Sequence, residues 1–165
     1  GTGRFATFTR DNFRSTNVTL TDLSPFYLEK ARRNDKYWRD YQKLDVPVAT
    51  LVQANAEELP FDDESFEAVT CVYLFHELPE DARARAAAEM ARVVKKGGMV
   101  VLTDSLQLGD RPPVDKSISG FSSLNEPHYK NYIATDLSAL FEKHGLACSE
   151  KYMASNTKTL SFIKK

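Results

Sequence analysis

Apolar and polar residues form blocks along this chain that predict helices and strands in alternation. Strands are expected at short apolar or β-branched runs over residues 17–21, 48–52, 68–74 and 99–103. Amphipathic segments that predict helices lie between them and after them, over residues 4–14, from Ser24 onwards, over residues 79–96 and after Thr135. Strands separated by helices indicate a mostly parallel sheet with helices on both faces, which is an α/β fold.

Capping residues mark the second helix. Ser24 suits the N-cap and Pro25 the first turn, where a missing N–H costs nothing. Asp35 interrupts the apolar face of this helix, which is formed by Leu28, Ala31, Trp38 and Tyr41.

The helix over residues 79–96 has the best-matched charges. Glu80 and Asp81 lie in its first turn, Lys95 and Lys96 lie in its last turn, and Gly97 is expected to stop it. One face of this helix is apolar and consists of Ala86, Met90 and Val93.

The last third of the chain begins with a long stretch, residues 105–134, that is expected to be irregular. Thr135 is then expected to cap a helix whose inward residues are Leu137, Leu140 and Phe141. Residues 146–153 and 157–163 predict two strands joined closely enough for an antiparallel hairpin. With no internal repeat or linker, the sequence predicts one domain over residues 1–165.

Composition excludes few classes of protein but favours an ordinary globular enzyme or module. The 165 residues carry a formal net charge of -1, which gives no electrostatic reason to expect a nucleic acid partner. No apolar run approaches the ~20 residues that span a bilayer. Cys71 and Cys148 are far apart, so free thiols in a reducing compartment, the cytoplasm, are expected, although an organellar targeting segment could precede the sequence.

The first residues suit the binding of a nucleotide-like ligand. Gly1-Thr2-Gly3 opens a predicted helix, and glycines allow a ligand to approach the backbone closely at such a junction. Together with Ala6, these glycines also satisfy the dinucleotide pattern G-x-G-x-x-[GA], so a nicotinamide cofactor stays open here.

The most informative segment covers residues 55–66, Asn-Ala-Glu-Glu-Leu-Pro-Phe-Asp-Asp-Glu-Ser-Phe, followed by an apolar strand that ends near His76. With Gly1-Thr2-Gly3 before it and Lys96-Gly97-Gly98 after it, this order closely resembles the class I S-adenosylmethionine-dependent methyltransferase domain, of the small-molecule ubiquinone and menaquinone type. The resemblance implies a Rossmann-like sheet of order 3-2-1-4-5-7-6 with an antiparallel C-terminal hairpin. Because the sequence starts within the first cofactor-binding motif, an N-terminally incomplete domain whose first strand is missing is expected.

The resemblance also implies roles for particular residues. The cofactor, S-adenosyl-L-methionine, is expected to be held by Gly1, Gly3, Asp22, Leu23, Asn55, Ala56 and Tyr73. Asp22 would accept hydrogen bonds from the ribose hydroxyls, and Asn55, where the family has Asp, would contact adenine.

The acceptor side is expected at the end of the central strand and in the following loops. His76 is the candidate catalytic residue, because its ordinary pKa suits proton transfer near neutral pH. The alternative is that His76 caps the following helix or only shapes the pocket. Phe75, Tyr129 and Tyr132 are the candidate substrate-binding residues, with loop packing as the alternative for the two tyrosines. Glu77 and Asp104 are interpreted as a helix-start charge and a loop-entry residue, although both lie on the ligand-facing edge of the sheet. No metal site is expected.

The implied reaction is direct displacement of the methyl group by a small-molecule acceptor. Two alternatives stay open: an NAD(P)-dependent oxidoreductase, which explains Gly1 to Asp22 but not residues 55–66, and a truncated methyltransferase-like module without activity. The acceptor, the methylated atom and the oligomeric state are left open by the sequence.

Overall fold

The structure, a computed structural model, describes residues 1–121 and 126–165. The chain divides into two compact units, Gly1–Leu59 and Pro60–Lys165, which are described separately below as units 1 and 2. The expectation of one domain over residues 1–165 stays a prediction.

Unit 1 contains a parallel pair of strands and two helices. Helix α1 covers Arg4–Asn12, strand β1 Thr19–Asp22, helix α2 Pro25–Gln42 and strand β2 Thr50–Gln53. The strands pair in register from Thr19 opposite Thr50 to Asp22 opposite Gln53. A helix between two parallel strands is the unit that the sequence pattern predicts.

Helix α2 begins as predicted, with the Ser24 hydroxyl accepting a hydrogen bond from the Tyr27 amide at 3.4 Å. Its buried face differs from the prediction. Asp35 belongs to that face, because its carboxylate pairs there with the buried guanidinium of Arg10 from α1. Tyr41, which was expected on the apolar face, is exposed, while the buried apolar residues are Leu28 and Ala31.

Unit 2 is built on a four-stranded mixed sheet. Strands β3 (Phe66–Val72), β4 (Val94–Ser105), β5 (Leu146–Ala154) and β6 (Thr157–Lys164) lie in the order β3-β4-β6-β5. β3 and β4 are parallel, whereas β6 is antiparallel to both β4 and β5. This confirms the antiparallel hairpin, and the order is that of the last four strands, 4-5-7-6, in the implied sheet.

The helices of unit 2 connect these strands. A short 3₁₀ turn, Phe75–Glu77, precedes helix α3 (Glu80–Val93), and helices α4 (Asp115–Phe121), α5 (Tyr129–Tyr132) and α6 (Leu137–Glu142) follow β4. The expectation of an irregular stretch over residues 105–134 is therefore wrong for α4, α5 and a second 3₁₀ turn, Pro112–Val114; residues 122–125 of that stretch lie outside the described residues. The α6 N-cap is Asp136 rather than Thr135, since the Asp136 carboxylate accepts from the Ala139 amide at 3.0 Å.

The end of α3 was also predicted wrongly. The helix stops at Val93, and Lys95 and Lys96 belong to β4. The β3–β4 register shifts here, because Phe66 pairs with Val94 while Ala68 pairs with Met99. Gly98 lies in this irregularity, where a Cβ would come within 2.7 Å of the Glu67 carbonyl oxygen. The Gly97-Gly98 pair therefore allows β3 and β4 to approach closely where their register shifts, and it does not end a helix.

The core of unit 2 lies between α3, α6 and the sheet. The predicted face of α3 is buried, namely Ala86, Met90 and Val93, and so are Val100, Leu102, Leu160 and Phe162 of the sheet. The ring of Phe141 in α6 stacks between Phe75 and Phe162, at centroid distances of 5.6 and 4.5 Å. Leu137 is buried with it, while Leu140 is only half-buried. This packing supports the carboxyl ends of β3 and β4, near which the candidate catalytic residue, His76, lies.

Candidate functional site

The carboxylate of Asp22 lies at the carboxyl end of β1 in unit 1. One oxygen accepts a hydrogen bond from the Ser24 amide at 2.7 Å, and the other contacts the backbone nitrogen of Gly1. Leu23 beside it is exposed, and its carbonyl accepts from the Gln53 side chain at 3.0 Å. The structure thus places Gly1, Asp22 and Leu23 together, at the edge of a parallel sheet where α/β proteins bind ligands.

Gly3 begins helix α1 in a left-handed conformation, with φ of 74°. A Cβ on this residue would lie 3.1 Å from the Cβ of Ala31 in α2. Glycine is therefore required both by the backbone conformation and by the close approach of α2. Around Gly1, in contrast, a Cβ would meet nothing within 4 Å.

Asn55 and Ala56 form a turn after β2. The Asn55 side-chain oxygen accepts from the Glu57 amide at 3.1 Å, and its backbone oxygen accepts from the Glu58 amide at 3.1 Å. This is the Asx turn that an Asn favours at a loop start. Asn55 is exposed and Ala56 half-buried, so the turn leaves an amide side chain accessible beside the end of the strand.

In unit 2, Tyr73 follows β3 in a left-handed conformation with φ of 52°. A bulky residue rarely adopts this conformation, and such strain is often found at functional sites. Two contacts hold Tyr73 in place: its amide donates to the Thr103 carbonyl at 2.8 Å, and its hydroxyl is hydrogen-bonded to Thr157. Its side chain is nevertheless 46% exposed and therefore available to a ligand.

His76 and Asp104 form a hydrogen-bonded pair at the carboxyl ends of β3 and β4. The distance between His76 Nδ1 and Asp104 Oδ1 is 2.6 Å. The Asp104 carboxylate is 1% exposed and also accepts from the amides of Phe75, at 2.9 Å, and Ser105, at 2.7 Å. Because a carboxylate only accepts, Nδ1 carries the proton and Nε2 is left as the basic nitrogen.

The sequence-based interpretation of Asp104 as a loop-entry residue missed this pair. Asp104 and His76 are 28 positions apart, so their contact depends on β3 and β4 being parallel neighbours. The available signal was topological: His76 lies shortly after β3 and Asp104 lies near the end of β4, and the carboxyl ends of these parallel strands meet at one edge of the sheet.

The surroundings of His76 stabilise its protonated form. The hydrogen bond to Asp104 raises the pKa of His76, and the charges of Asp104, Glu77 and Glu126 act in the same direction, whereas partial burial opposes them. His76 Nε2 lies 3.9 Å from the Glu77 carboxylate. The pair can therefore take up a proton and hold it as an imidazolium against a buried carboxylate.

Aromatic rings surround the imidazole. The rings of Tyr73, Tyr129 and Tyr132 lie 6.1 to 6.2 Å from it, measured between centroids. Tyr132 is fully buried and its hydroxyl donates to the Ser105 carbonyl at 2.6 Å, while Tyr129 is buried with a small exposed fraction. Burial raises the pKa of both Tyr129 and Tyr132, so their hydroxyls stay protonated near neutral pH. Phe75, in contrast, is fully buried against Phe141 in the core.

Comparison with known proteins places the chain in a family. The family described as "Methyltransferase domain" matches residues 1–98, more than half of the chain. The chain belongs to the methyltransferase domain family. The matched family and the relatives below are methyltransferases, which leaves a nicotinamide-dependent oxidoreductase without support.

Several curated proteins resemble this methyltransferase domain. An uncharacterised methyltransferase, YcgJ of Bacillus subtilis, is 35% identical over 64% of this chain and 41% of its own length. The phosphatidylethanolamine N-methyltransferase of Cereibacter sphaeroides is 38% identical over 64% of this chain and 50% of its own. The ubiquinone/menaquinone biosynthesis C-methyltransferase UbiE of Rhizobium etli is 36% identical over 74% and 45%. The chain thus spans about half the length of these relatives.

Solved structures share the fold of this methyltransferase domain. A SAM-dependent methyltransferase from Methanosarcina mazei matches 99% of this chain and 88% of its own, with a TM-score of 0.76 and 16% identity. An O-methyltransferase family protein from Burkholderia thailandensis matches all of this chain and 48% of its own, with a TM-score of 0.77 and 16% identity. These likenesses confirm the Rossmann-like α/β fold.

The family and the fold identify S-adenosyl-L-methionine as the cofactor of this type of domain. The chemistry of unit 1 fits it, because the Asp22 carboxylate can accept from a ribose diol and the exposed Asn55 amide can pair with a nitrogen base. Among residues 1–121 and 126–165, no cluster of His, Cys, Asp or Glu is arranged to hold a metal ion. In the same described ranges, no helix has the length and apolarity that crossing a membrane requires.

Proposed function

We propose that this protein transfers a methyl group from S-adenosyl-L-methionine to a small-molecule acceptor by direct displacement. The family and the fold support the general class of reaction. The pairing of His76 with buried Asp104, within a group of aromatic side chains, is the observation that supports catalysis by this chain. One relative is named as an N-methyltransferase and another as a C-methyltransferase. Because these names differ in the methylated atom, the type of acceptor is inferred from this chain's own residues.

The proposed cofactor-binding residues lie mostly in unit 1. Asp22 would bind the ribose, and Asn55 and Ala56 would bind the adenine. Gly1, Gly3 and Leu23 would line the surface where the cofactor comes close to the protein backbone. The role of Tyr73 in cofactor binding stays a prediction from the family resemblance; its side chain is accessible and its backbone is held in a strained conformation. When bound, the cofactor supplies a methyl group on a positively charged sulfur.

In the proposed mechanism, His76 is the general base. Nε2 of His76 would accept the proton that the acceptor loses on methylation, and the Asp104 carboxylate would stabilise the imidazolium that results. The bound cofactor would supply the methyl group, with cleavage of its methyl–sulfur bond, and would leave as S-adenosylhomocysteine. An acceptor that loses a proton on methylation, such as a hydroxyl or an acidic C–H group, is the type that needs this base. Tyr129, Tyr132 and Phe75 are proposed to shape the acceptor site, Phe75 through the core packing that supports the turn.

The experiment compares turnover with cofactor affinity in a His76→Gln variant. The protein is incubated with S-adenosylmethionine and a panel of phenols, quinols and amines, and the S-adenosylhomocysteine produced is measured. General-base catalysis contributes about 10²–10⁴-fold, so turnover should fall by that factor while the dissociation constant of S-adenosylhomocysteine is unchanged.

His144, which follows α6, provides the matched control, and His144→Gln should behave as wild type. Equal losses of turnover and affinity in His76→Gln, or no loss, would contradict the general-base role. A folded wild-type protein that binds S-adenosylhomocysteine but methylates no acceptor would favour the non-catalytic module instead. A cytoplasmic location stays a prediction.

A further inference from the structure

Arg83 lies in helix α3 and is among the most buried side chains of unit 2, with 1% of its surface exposed. A charged side chain is almost never buried to this extent unless its polar atoms are satisfied, because removing the charge from water is costly. The contacts of its guanidinium group therefore indicate what the residue is for.

Two of these contacts hold the turn that carries His76. Arg83 Nε donates to the Phe75 carbonyl at 3.0 Å, and Nη2 donates to the Leu78 carbonyl at 2.9 Å. Phe75 is the first residue of the 3₁₀ turn and directly precedes His76, and Leu78 directly follows the turn. The guanidinium thus holds the turn at its start and just beyond its end, and His76, which contacts Asp104, lies between these two points.

The remaining contacts reach the segment that carries the two tyrosines. Nη1 donates to the side chains of Asn131 and Thr135, both at 2.8 Å, and the guanidinium lies over the ring of Tyr132 at 5.6 Å. The Asn131 amide donates in turn to Glu80, at the start of α3, at 2.9 Å. One planar group therefore connects the His76 turn to α5, whose Tyr129 and Tyr132 rings face the imidazole.

Within the described part of the chain, Arg83 donates four hydrogen bonds, and all of them end on neutral oxygens. Burial lowers the pKa of Arg83, and the charges of Glu80 and Asp104 oppose this effect at longer range. A group that only neutralised a carboxylate would lie against it, whereas this one spans two segments with the fixed fork of donors that distinguishes Arg from Lys. These contacts therefore indicate that Arg83 positions two segments of the chain relative to each other rather than neutralising a carboxylate.

We propose that Arg83 is a positioning residue of the methyl-transfer site, which holds His76 against Asp104 and sets Tyr129 and Tyr132 beside the imidazole. The proposal rests on the proposed function. Arg83 acts through the turn and through α5, and its own contacts are with the oxygens of Phe75, Leu78, Asn131 and Thr135.

The test uses Arg83→Lys, which keeps the charge but has one nitrogen and cannot reach both segments. A misplacement of about 1 Å can cost roughly 10²-fold in rate, so kcat with an acceptor from the panel should fall by about 10- to 100-fold. The dissociation constant of S-adenosylhomocysteine should stay within about twofold, because its proposed ligands lie mainly in unit 1. The matched control is Arg85→Lys, in the same helix but half-exposed and paired with Asp81, which should retain wild-type kcat.

A second readout, the NMR titration of the His76 imidazole, needs no acceptor. Among the described residues, the groups that lie beside this ring or act on its charge are Asp104, Glu77, Glu126, Tyr73, Tyr129 and Tyr132. Loosening the turn weakens the contact with Asp104, which is the largest of these effects, so the pKa of His76 should fall in Arg83→Lys. Thr135→Val removes one acceptor of Arg83 at nearly constant volume and should shift kcat and the titration in the same direction by a smaller amount.

Thr135→Val keeps the test decisive if Arg83→Lys does not fold. A folded variant with a lower melting temperature but with wild-type kcat and an unchanged His76 titration would overturn the positioning role and leave a structural one. If the wild-type protein neither binds S-adenosylhomocysteine nor methylates an acceptor, the proposed function fails. In that case a shifted His76 titration in either variant would still support the control of the turn by Arg83.

Discussion

Asp104→Asn tests the central pair of the proposed site with a nearly isosteric change. In the wild type, Asp104 Oδ1 accepts from His76 Nδ1 and the Ser105 amide, and Oδ2 accepts from the Phe75 amide. Asparagine offers one acceptor oxygen and one amide nitrogen in these positions. Whichever way it is oriented, at least one buried N–H group meets another donor, at a cost of about 1–3 kcal/mol in the free energy of unfolding.

The orientation of the new amide decides the effect on chemistry. If its nitrogen faces His76, the imidazole proton moves to Nε2 and the base is lost. If its nitrogen faces Phe75, Nδ1 keeps its proton, but the imidazolium loses the negative charge that stabilises it. Both orientations lower the pKa of His76, since the hydrogen bond to the carboxylate is the main cause of its elevation. Turnover should fall by about 10²–10⁴-fold, the range of general-base catalysis.

The pH dependence follows from the same shift. Because the folded pKa of His76 is raised, the neutral base is populated only above that pKa, so wild-type turnover should increase with pH beyond the ordinary histidine value of about 6.5. The stabilising imidazolium–carboxylate contact is fully present below about pH 6.5 and is lost as pH rises through the folded pKa. In Asp104→Asn, this contribution to stability should be absent.

The assay is an NMR titration of the three histidines, with the His76 signal assigned by its loss in His76→Gln. Glu77→Gln is the matched control, because it removes a carboxylate that is largely exposed and 3.9 Å from His76 Nε2. Its effect on the His76 pKa should be much smaller than that of Asp104→Asn. Equal titration of His76 in wild type and Asp104→Asn would refute the reasoning.

Three further substitutions test other parts of the structure. Asp22→Ala should weaken S-adenosylhomocysteine binding by about 10- to 100-fold in a calorimetric titration, because this factor corresponds to the loss of a hydrogen bond to a charged group. An unchanged affinity would exclude the ribose role. Asp35→Ala leaves the buried guanidinium of Arg10 without its carboxylate and should lower the free energy of unfolding in urea by about 3–5 kcal/mol, whereas a loss below 1 kcal/mol would argue against a buried pair. Gly98→Ala should cost about 1–3 kcal/mol in the same assay, because the Cβ meets the Glu67 carbonyl; wild-type stability would contradict the close approach.

The sequence predicts the order of elements well because hydrophobic periodicity is a local property. Helix α2 starts at its predicted cap, Ser24, and the C-terminal hairpin lies where the two final apolar runs place it. The end of α3 was misplaced because Lys95, Lys96 and Gly97 suit a helix C-terminus, while pairing of Val94 with Phe66 draws these residues into β4. Here tertiary contacts override a local signal.

The candidate site depends more strongly on the tertiary structure. His76 could be selected from its residue type and its position after a strand, but Asp104 becomes its partner only when two strands lie side by side. The same holds for Asp35, which interrupts a helical apolar pattern and is explained by Arg10, 25 positions away. The role of a buried polar residue depends on partners that are distant in sequence. For this reason the hydrophobic pattern of the sequence did not mark Arg83 as a candidate.

The most direct test of the account is a calorimetric titration of the folded protein with S-adenosylhomocysteine, with a nicotinamide dinucleotide as the control ligand. The account predicts binding of S-adenosylhomocysteine in the micromolar range or tighter, no binding of the dinucleotide, and loss of affinity in Asp22→Ala. A cooperatively folded protein that binds the dinucleotide, or that binds neither ligand, would contradict the claim that this domain uses S-adenosyl-L-methionine.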